Sequence, residues 1–309
     1  MSQHIPTDSP SPGGRGAGGE GFWHIMYAVD RRWLYLILFI IVSILVINPI
    51  TVPNVEDPAA KALYDYLSNL NEGDFVYIES DWTNSTRGES RGQFEALMRL
   101  LMRKKVRFCI STLGDPQIPD IIRPIIRQIA QEPGSNNYEE GKDYVIAGYF
   151  PNLEAHVSGL VNNIRDTVKE KRIGGRSITE TPVFDGIQDL SDAKCVVVIT
   201  GSSTINLWYE RMRAKTKLGL MCTAVMSGEN IPYYVSGQLV GIAIGAKGAF
   251  DFESLLEKEW PAAENPGYKN FTSGRRYMSP LFFALMLLIF AVVMGNLAMY
   301  QLKRTGRHS

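Results

Sequence analysis

The chain has 309 residues, enough for one domain with a sizeable core plus flanking anchors. Its 32 basic and 32 acidic residues balance, and residues 51–276 hold 26 basic against 29 acidic residues. That excess of acid argues against nucleic acid as a partner, because such binders concentrate basic charge on one face.

Residues 1–21 are rich in Pro, Gly and Ser without an apolar face, and read as a disordered tail. No small-residue cleavage site follows the first apolar run, which argues against a cleaved signal peptide. Phe22 to Val29 is apolar and aromatic and suits a membrane interface. Trp33 to Ile50 then runs 18 residues without a charge, long enough for a first transmembrane helix, and Pro49 and Pro53 stop it. A second span reads from Pro280 to Leu302, followed by a basic tail over residues 303–309. Gly295 and Asn296 fall inside this span and suit close contact with a neighbouring helix.

Between the anchors, residues 51–260 read as an α/β domain and residues 261–279 as a linker. A helix is predicted after Pro58, through Leu70, and a first strand over Asp74 to Glu79. A helix over Gln93 to Arg103 and a strand over Val106 to Thr112 follow. Ile118 to Gln131 is an apolar helix with Pro124 inside, where a kink is expected. The third strand is Asp143 to Tyr149, and Leu153 to Lys169 is the next helix. After the longest connection come strand four, Cys195 to Thr200, its helix from Thr204 to about Lys215, and strand five, Leu218 to Val225.

Apolar strands alternating with helices define a Rossmann-like α/β fold: a mainly parallel five-stranded sheet with helices on both faces, flanked by N- and C-terminal transmembrane helices. The long crossover between strands three and four favours the order 3-2-1-4-5, with 2-1-3-4-5 as the alternative. Ligands of open α/β sheets sit beyond the carboxyl ends of the strands where the order reverses. That point gathers Asp81, Thr83 and Asn84 after strand one with Gly201, Ser202, Ser203 and Thr204 after strand four. A Gly-Ser-Ser-Thr turn can offer backbone N–H groups and hydroxyls to a small anion, although Ser and Thr are also ordinary helix caps. Neither GxGxxG after a strand nor GxxxxGK[ST] occurs, so no nucleotide cofactor is expected.

Catalytic equipment is sparse. His156 is the one histidine of the domain, and a lone helical histidine is more often structural than a base for Ser202 or Cys222. Cys109, Cys195 and Cys222 lie in apolar runs without a CxxC pair and read as buried thiols; no metal-ligand set is evident. Ser236 to Ala249 places Gly237, Gly241, Gly245 and Gly248 along one helical face. Glycine is costly inside a helix and is tolerated where another backbone comes close. The stretch therefore reads as an interaction helix, packed inside the domain or against another subunit.

Several segments resemble a family of prokaryotic membrane proteins that carry an α/β domain between two spans and have no assigned activity. The segments are Cys222-Thr-Ala-Val, Ser236-Gly-Gln-Leu-Val-Gly, Gly245 to Glu253, Arg87-Gly88-Glu89, Lys142 to Tyr149 and Gly295-Asn296. Ala243, Ala246 and Phe250 depart from the pattern. The resemblance implies architecture and carries no catalytic residue.

The resulting expectation is a non-catalytic, two-span membrane subunit that assembles with itself or with other membrane proteins. Arg31 and Arg32 before the first span favour cytoplasmic termini and an extracytoplasmic domain, against the pull of Arg275 and Arg276. The alternatives are a ligand-binding sensor or transport accessory and, third, a hydrolase.

Overall fold

The computed structural model describes residues 22, 23, 25, 27–212 and 216–304. The expected tail over residues 1–21 and the end of the basic tail lie outside them. The chain divides into two units, Pro49–Ser279 and the segments on either side of it.

Asp57 starts the domain's first helix by accepting the Ala59 N–H, and Pro58 occupies a first-turn position whose N–H would have no helical partner anyway. With α1 taken as the flanking helix Arg31–Ile47, this is α2 (Pro58–Ser68). There follow β1 (Phe75–Asp81), α3 (Arg87–Arg103), β2 (Arg107–Thr112), α4 (Ile118–Ala130) and β3 (Tyr144–Tyr149). The helix expected over Leu153 to Lys169 is broken at Asn163, whose extended backbone ends α5 (Leu153–Asn162). Its side chain caps α6 (Ile164–Val168). The long connection is not a bare loop, since β4 (Arg172–Ile173) and β5 (Arg176–Ser177) pair antiparallel within it. Next are β6 (Cys195–Thr200), α7 (Ile205–Met212), β7 (Lys217–Cys222), α8 (Ser227–Val235), β8 (Gly241–Ile244) and α9 (Gly245–Glu259).

The main sheet has six strands rather than five, in the order β3-β2-β1-β6-β7-β8, and all five pairings are parallel. The expected succession 3-2-1-4-5 is kept, with β8 added at the edge. Each face carries its own core. Val76, Ile78 and Trp82 pack with α2, α3, α4 and α9 on one side. Phe75, Tyr77, Val196 and Val198 pack with α5, α6 and α7 on the other.

The expected glycine-faced helix does not form. Gly237 (φ +77°) follows the end of α8, where its N–H bonds Tyr234 O and the Gln238 N–H bonds Tyr233 O, the double closure of a glycine-terminated helix. Gly241 lies in β8 under the backbone of α2; an added Cβ would stand 2.3 Å from Leu63 N and 2.6 Å from Ala59 O. Gly245 (φ +60°) opens α9, and Gly248 packs on the backbone of Ala243. Four glycines at helical spacing thus serve a turn, a strand, a helix start and a helix interior.

In the flanking segments, Asp30 caps α1 through the Arg32 N–H. The C-terminal helix α10 (Ser273–Arg304) includes a 29-residue stretch, Ser273–Gln301, long and apolar enough to cross a membrane. On α10 the better-covered positions include Ala284, Leu287, Ala291, Met294 and Ala298, three or four residues apart along one face. Asn296 donates to Val292 O of its own helix, and space is open beside Gly295.

Candidate functional site

Strand alternation puts Tyr77, Glu79 and Asp81 of β1 on one face of the sheet. Asp81 is the last residue of the strand and sits where the order reverses between β1 and β6. Thr204 donates to Asp81 Oδ2 at 2.6 Å, and Thr200 donates to the same oxygen at 3.4 Å. The Ser202 N–H turns back onto Thr200 Oγ1 at 3.0 Å. The loops after β1 and β6 are therefore joined through one carboxyl. Both threonine bonds fall on Oδ2, while Oδ1 rests on Gly114, where an added Cβ would stand 2.2 Å away.

The other carboxyl-end loops converge on the same region. Gly201 touches Thr86 and Thr223, with 2.4 Å and 3.3 Å between an added Cβ and their methyl groups. The Ala224 N–H donates to Glu89 Oε2 at 2.8 Å, and Gly245 lies against the same oxygen. One turn further along α3, the buried Gln93 amide donates to the carbonyls of Cys222, Ala243 and Gly245. The first turns of α3 thus gather the loops after β6, β7 and β8, while Gly114 brings in the loop after β2.

Of the residues singled out in the sequence, the structure brings Asp81, Ser202 and Thr204 together and places Gly201 beside them. Thr83 bonds Ser85 at 2.7 Å, and Asn84 turns toward Gln117 on α4's side. Ser203 is exposed, and its carbonyl accepts the Asn206 N–H at the start of α7. Thr200, Gly114 and Gln93 were not among the candidate site residues, and Glu89 figured only in the Arg87-Gly88-Glu89 element of the resemblance. Thr200 follows from the strand pattern, as the last inward position of β6 opposite Asp81.

Burial pushes the Asp81 carboxyl above the usual carboxylate range, and the hydroxyls of Thr204, Thr200 and Ser202 pull it back only in part. Burial likewise holds Cys195 and Cys222 near 12, so these thiols carry no nucleophilic thiolate at neutral pH. His156 bonds Tyr77 and Ser111 and contacts Glu79, with no bond to Ser202 or Cys222. The pairing considered for a hydrolase is therefore not made. No group of three or more His, Cys, Asp or Glu side chains among the described residues is arranged to hold a metal.

A separate cavity of about 510 Å³ opens at the amino ends of β6 and β7, lined by Ala193, Lys194, Tyr209 and Leu218. It lies at the opposite end of the strands from Asp81.

No protein-family model matches the chain, and comparison with curated proteins finds no match. The fold and the site stand on the residues alone.

Proposed function

We propose that the chain is a membrane-anchored α/β domain that binds a small polar ligand in the crevice between the loops after β1 and β6. The supporting observation is that the loops after β2 and β6 meet at Asp81, at the point where open α/β sheets take their ligands, while the loops after β7 and β8 are gathered on the adjacent first turns of α3. The expected small anion is the weaker fit, because a carboxyl occupies the crevice floor. A ligand that offers hydrogen-bond donors, such as a hydroxyl or ammonium group, complements both Asp81 and the surrounding hydroxyls. The test is purification of the full chain from native membranes in mild detergent, with mass spectrometry of co-purifying small molecules. A molecule retained by the wild type and lost from Asp81→Asn supports the reading; equal retention by both refutes this location, and a bare wild-type chain refutes the function.

Subunit assembly is the second reading. It rests on Val225, Ile231 and Val235, which are exposed on and just before α8, Val225 to 88%, and on the open Gly295 and Asn296 surface of α10. A native mass that is a multiple of the chain, or a stoichiometric membrane partner, would support it.

Both readings take α1 and α10 as two spans, with the termini cytoplasmic and the domain outside. α1 has 17 residues, marginal for a perpendicular span. Asn270-Phe271-Thr272 has the pattern of a glycosylation acceptor but has no bearing on sidedness, because the Asn270 amide is buried and donates to Glu257 and to Trp260 O.

A further inference from the structure

Beneath the crevice, on the same face of β1, lies a second set of polar groups that the proposed ligand site does not use. Tyr77, Glu79, Ser111 and His156 are all at most 3% exposed. Tyr77 donates to Ser111 Oγ at 2.6 Å, and Ser111 donates to Glu79 Oε2 at 2.5 Å. His156 Nε2 lies 3.2 Å from Tyr77 Oη and 3.3 Å from Ser111 Oγ. Each hydroxyl has one proton, and both protons are already placed. His156 Nε2 must then be a donor, and every proton in the chain points toward Glu79. The two remaining atoms, His156 Nδ1 and Glu79 Oε1, are buried and unpartnered. They are the two ends of the chain, and buried polar atoms are rarely left in this state.

We propose that His156, Tyr77, Ser111 and Glu79 form a buried proton-binding site, in which a proton taken up at one open end is passed through the Ser111 hydroxyl and held by the other. The transfer balances. A proton arrives on His156 Nδ1, Nε2–H passes its own proton to Ser111 Oγ, and the Ser111 proton moves to Glu79 Oε2. Histidine ends as the Nδ1–H tautomer, serine is restored with its hydroxyl reversed, and Glu79 becomes a neutral acid. Tyr77 braces Ser111 throughout.

The surroundings favour a neutral carboxyl. Glu79 faces Tyr77 and Asp81 along β1, Ser111 and Cys109 on β2, and His156 on α5, while its β6 neighbour Val198 is apolar. No lysine or arginine among the described residues bonds it. Lys171 lies 4.3 Å over the Phe150 ring, and that ring in turn stacks on His156 at 3.9 Å.

The site is tested by infrared difference spectroscopy of the full chain in detergent, titrated from pH 4.5 to 9. The wild type should show the C=O stretch of a buried protonated carboxyl that persists above the glutamate range and is lost in Glu79→Gln. Ser111→Ala, which removes the central donor, should move the titration of that band. A spectrum unchanged by Glu79→Gln refutes the proposal. If Glu79→Gln does not fold, Ser111→Ala carries the test, and an unmoved band refutes the relay. Asp81→Asn should leave the band in place, which separates this site from the ligand crevice above it.

Discussion

Gly241→Ala should destabilise the domain because the atoms in its way are backbone. The added Cβ would stand 2.3 Å from Leu63 N and 2.7 Å from Leu63 Cα, whereas ordinary contact begins near 3.4 Å. Helix α2 would have to retreat by about 1 Å, and its Ala60, Leu63 and Leu67 are core residues. Overpacking of this kind costs about 3 kcal/mol, the upper end of the usual range, since a helix backbone cannot rotate aside. Loss of glycine's unfolded-state freedom returns up to about 1 kcal/mol. The net loss of about 2 kcal/mol corresponds to a fall in Tm of roughly 4–8 °C for a domain of this size. Gly219→Ala is the control. Its Cβ meets Leu63 Cδ1 at 2.5 Å, the tip of a flexible side chain, so about 1 kcal/mol of strain is offset and Tm should stay within about 2 °C. The assay is thermal unfolding of the full chain in detergent, followed by fluorescence of the buried Trp82 and Trp208. A Gly241→Ala melt equal to wild type, or a Gly219→Ala melt below it, would refute the argument. A changed native mass with an unchanged melt would restore Gly241 to a surface between subunits.

Other expectations follow from the same geometry. Gly114→Ala should displace Asp81 and reduce retention of any co-purified ligand at least tenfold, as read by mass spectrometry; full retention would place the ligand elsewhere. Gln93→Leu should cost about 2–4 kcal/mol, because three buried carbonyls lose their shared donor, and denaturant titration at an unchanged slope would measure it. Burial raises the Glu79 carboxyl, so its stabilising contribution is complete below the ordinary value of 4.5 and disappears as pH rises through the folded-state value. The Tm advantage of wild type over Glu79→Gln should accordingly shrink from pH 4.5 upward; an advantage that grows with pH would contradict it. Because all three native thiols are buried, Asn71→Cys should be the one site labelled by an impermeant maleimide, in intact cells if the domain lies outside and only after lysis if it lies inside.

The sheet was legible where apolar runs are continuous. Cys195 to Thr200 and Arg107 to Thr112 are covered on both faces, and such strands announce themselves by composition. The order followed from one long crossover. β8 was not legible, because Gly241 and Gly245 mimic a helical period while each answers to a neighbour distant in sequence, Leu63 in one case and Glu89 in the other. The switch-point pair Asp81 and Thr204 could be placed from topology alone. Gln93 could not, since nothing local marks a helical glutamine as the donor to three carbonyls more than a hundred residues away. His156 read as a structural histidine; its partners lie on two strands, and only the alternation Tyr77, Glu79, Asp81 beside Cys109, Ser111 hinted at a shared face.

The Ile50 N–H donates to Ser279 Oγ at 3.2 Å, and Arg275 reaches Thr51, so the polypeptide enters and leaves the domain at one place. Whatever lies beyond these two residues sets out from a common origin. Bringing the ends of an unfolded chain of this length together costs about 5 kcal/mol in loop-closure entropy, and the folded domain has already met that cost. It acts as a clasp on its own two ends, and its unfolding would release both at once. A short turn joining Ile50 to Ser279 would span the same gap.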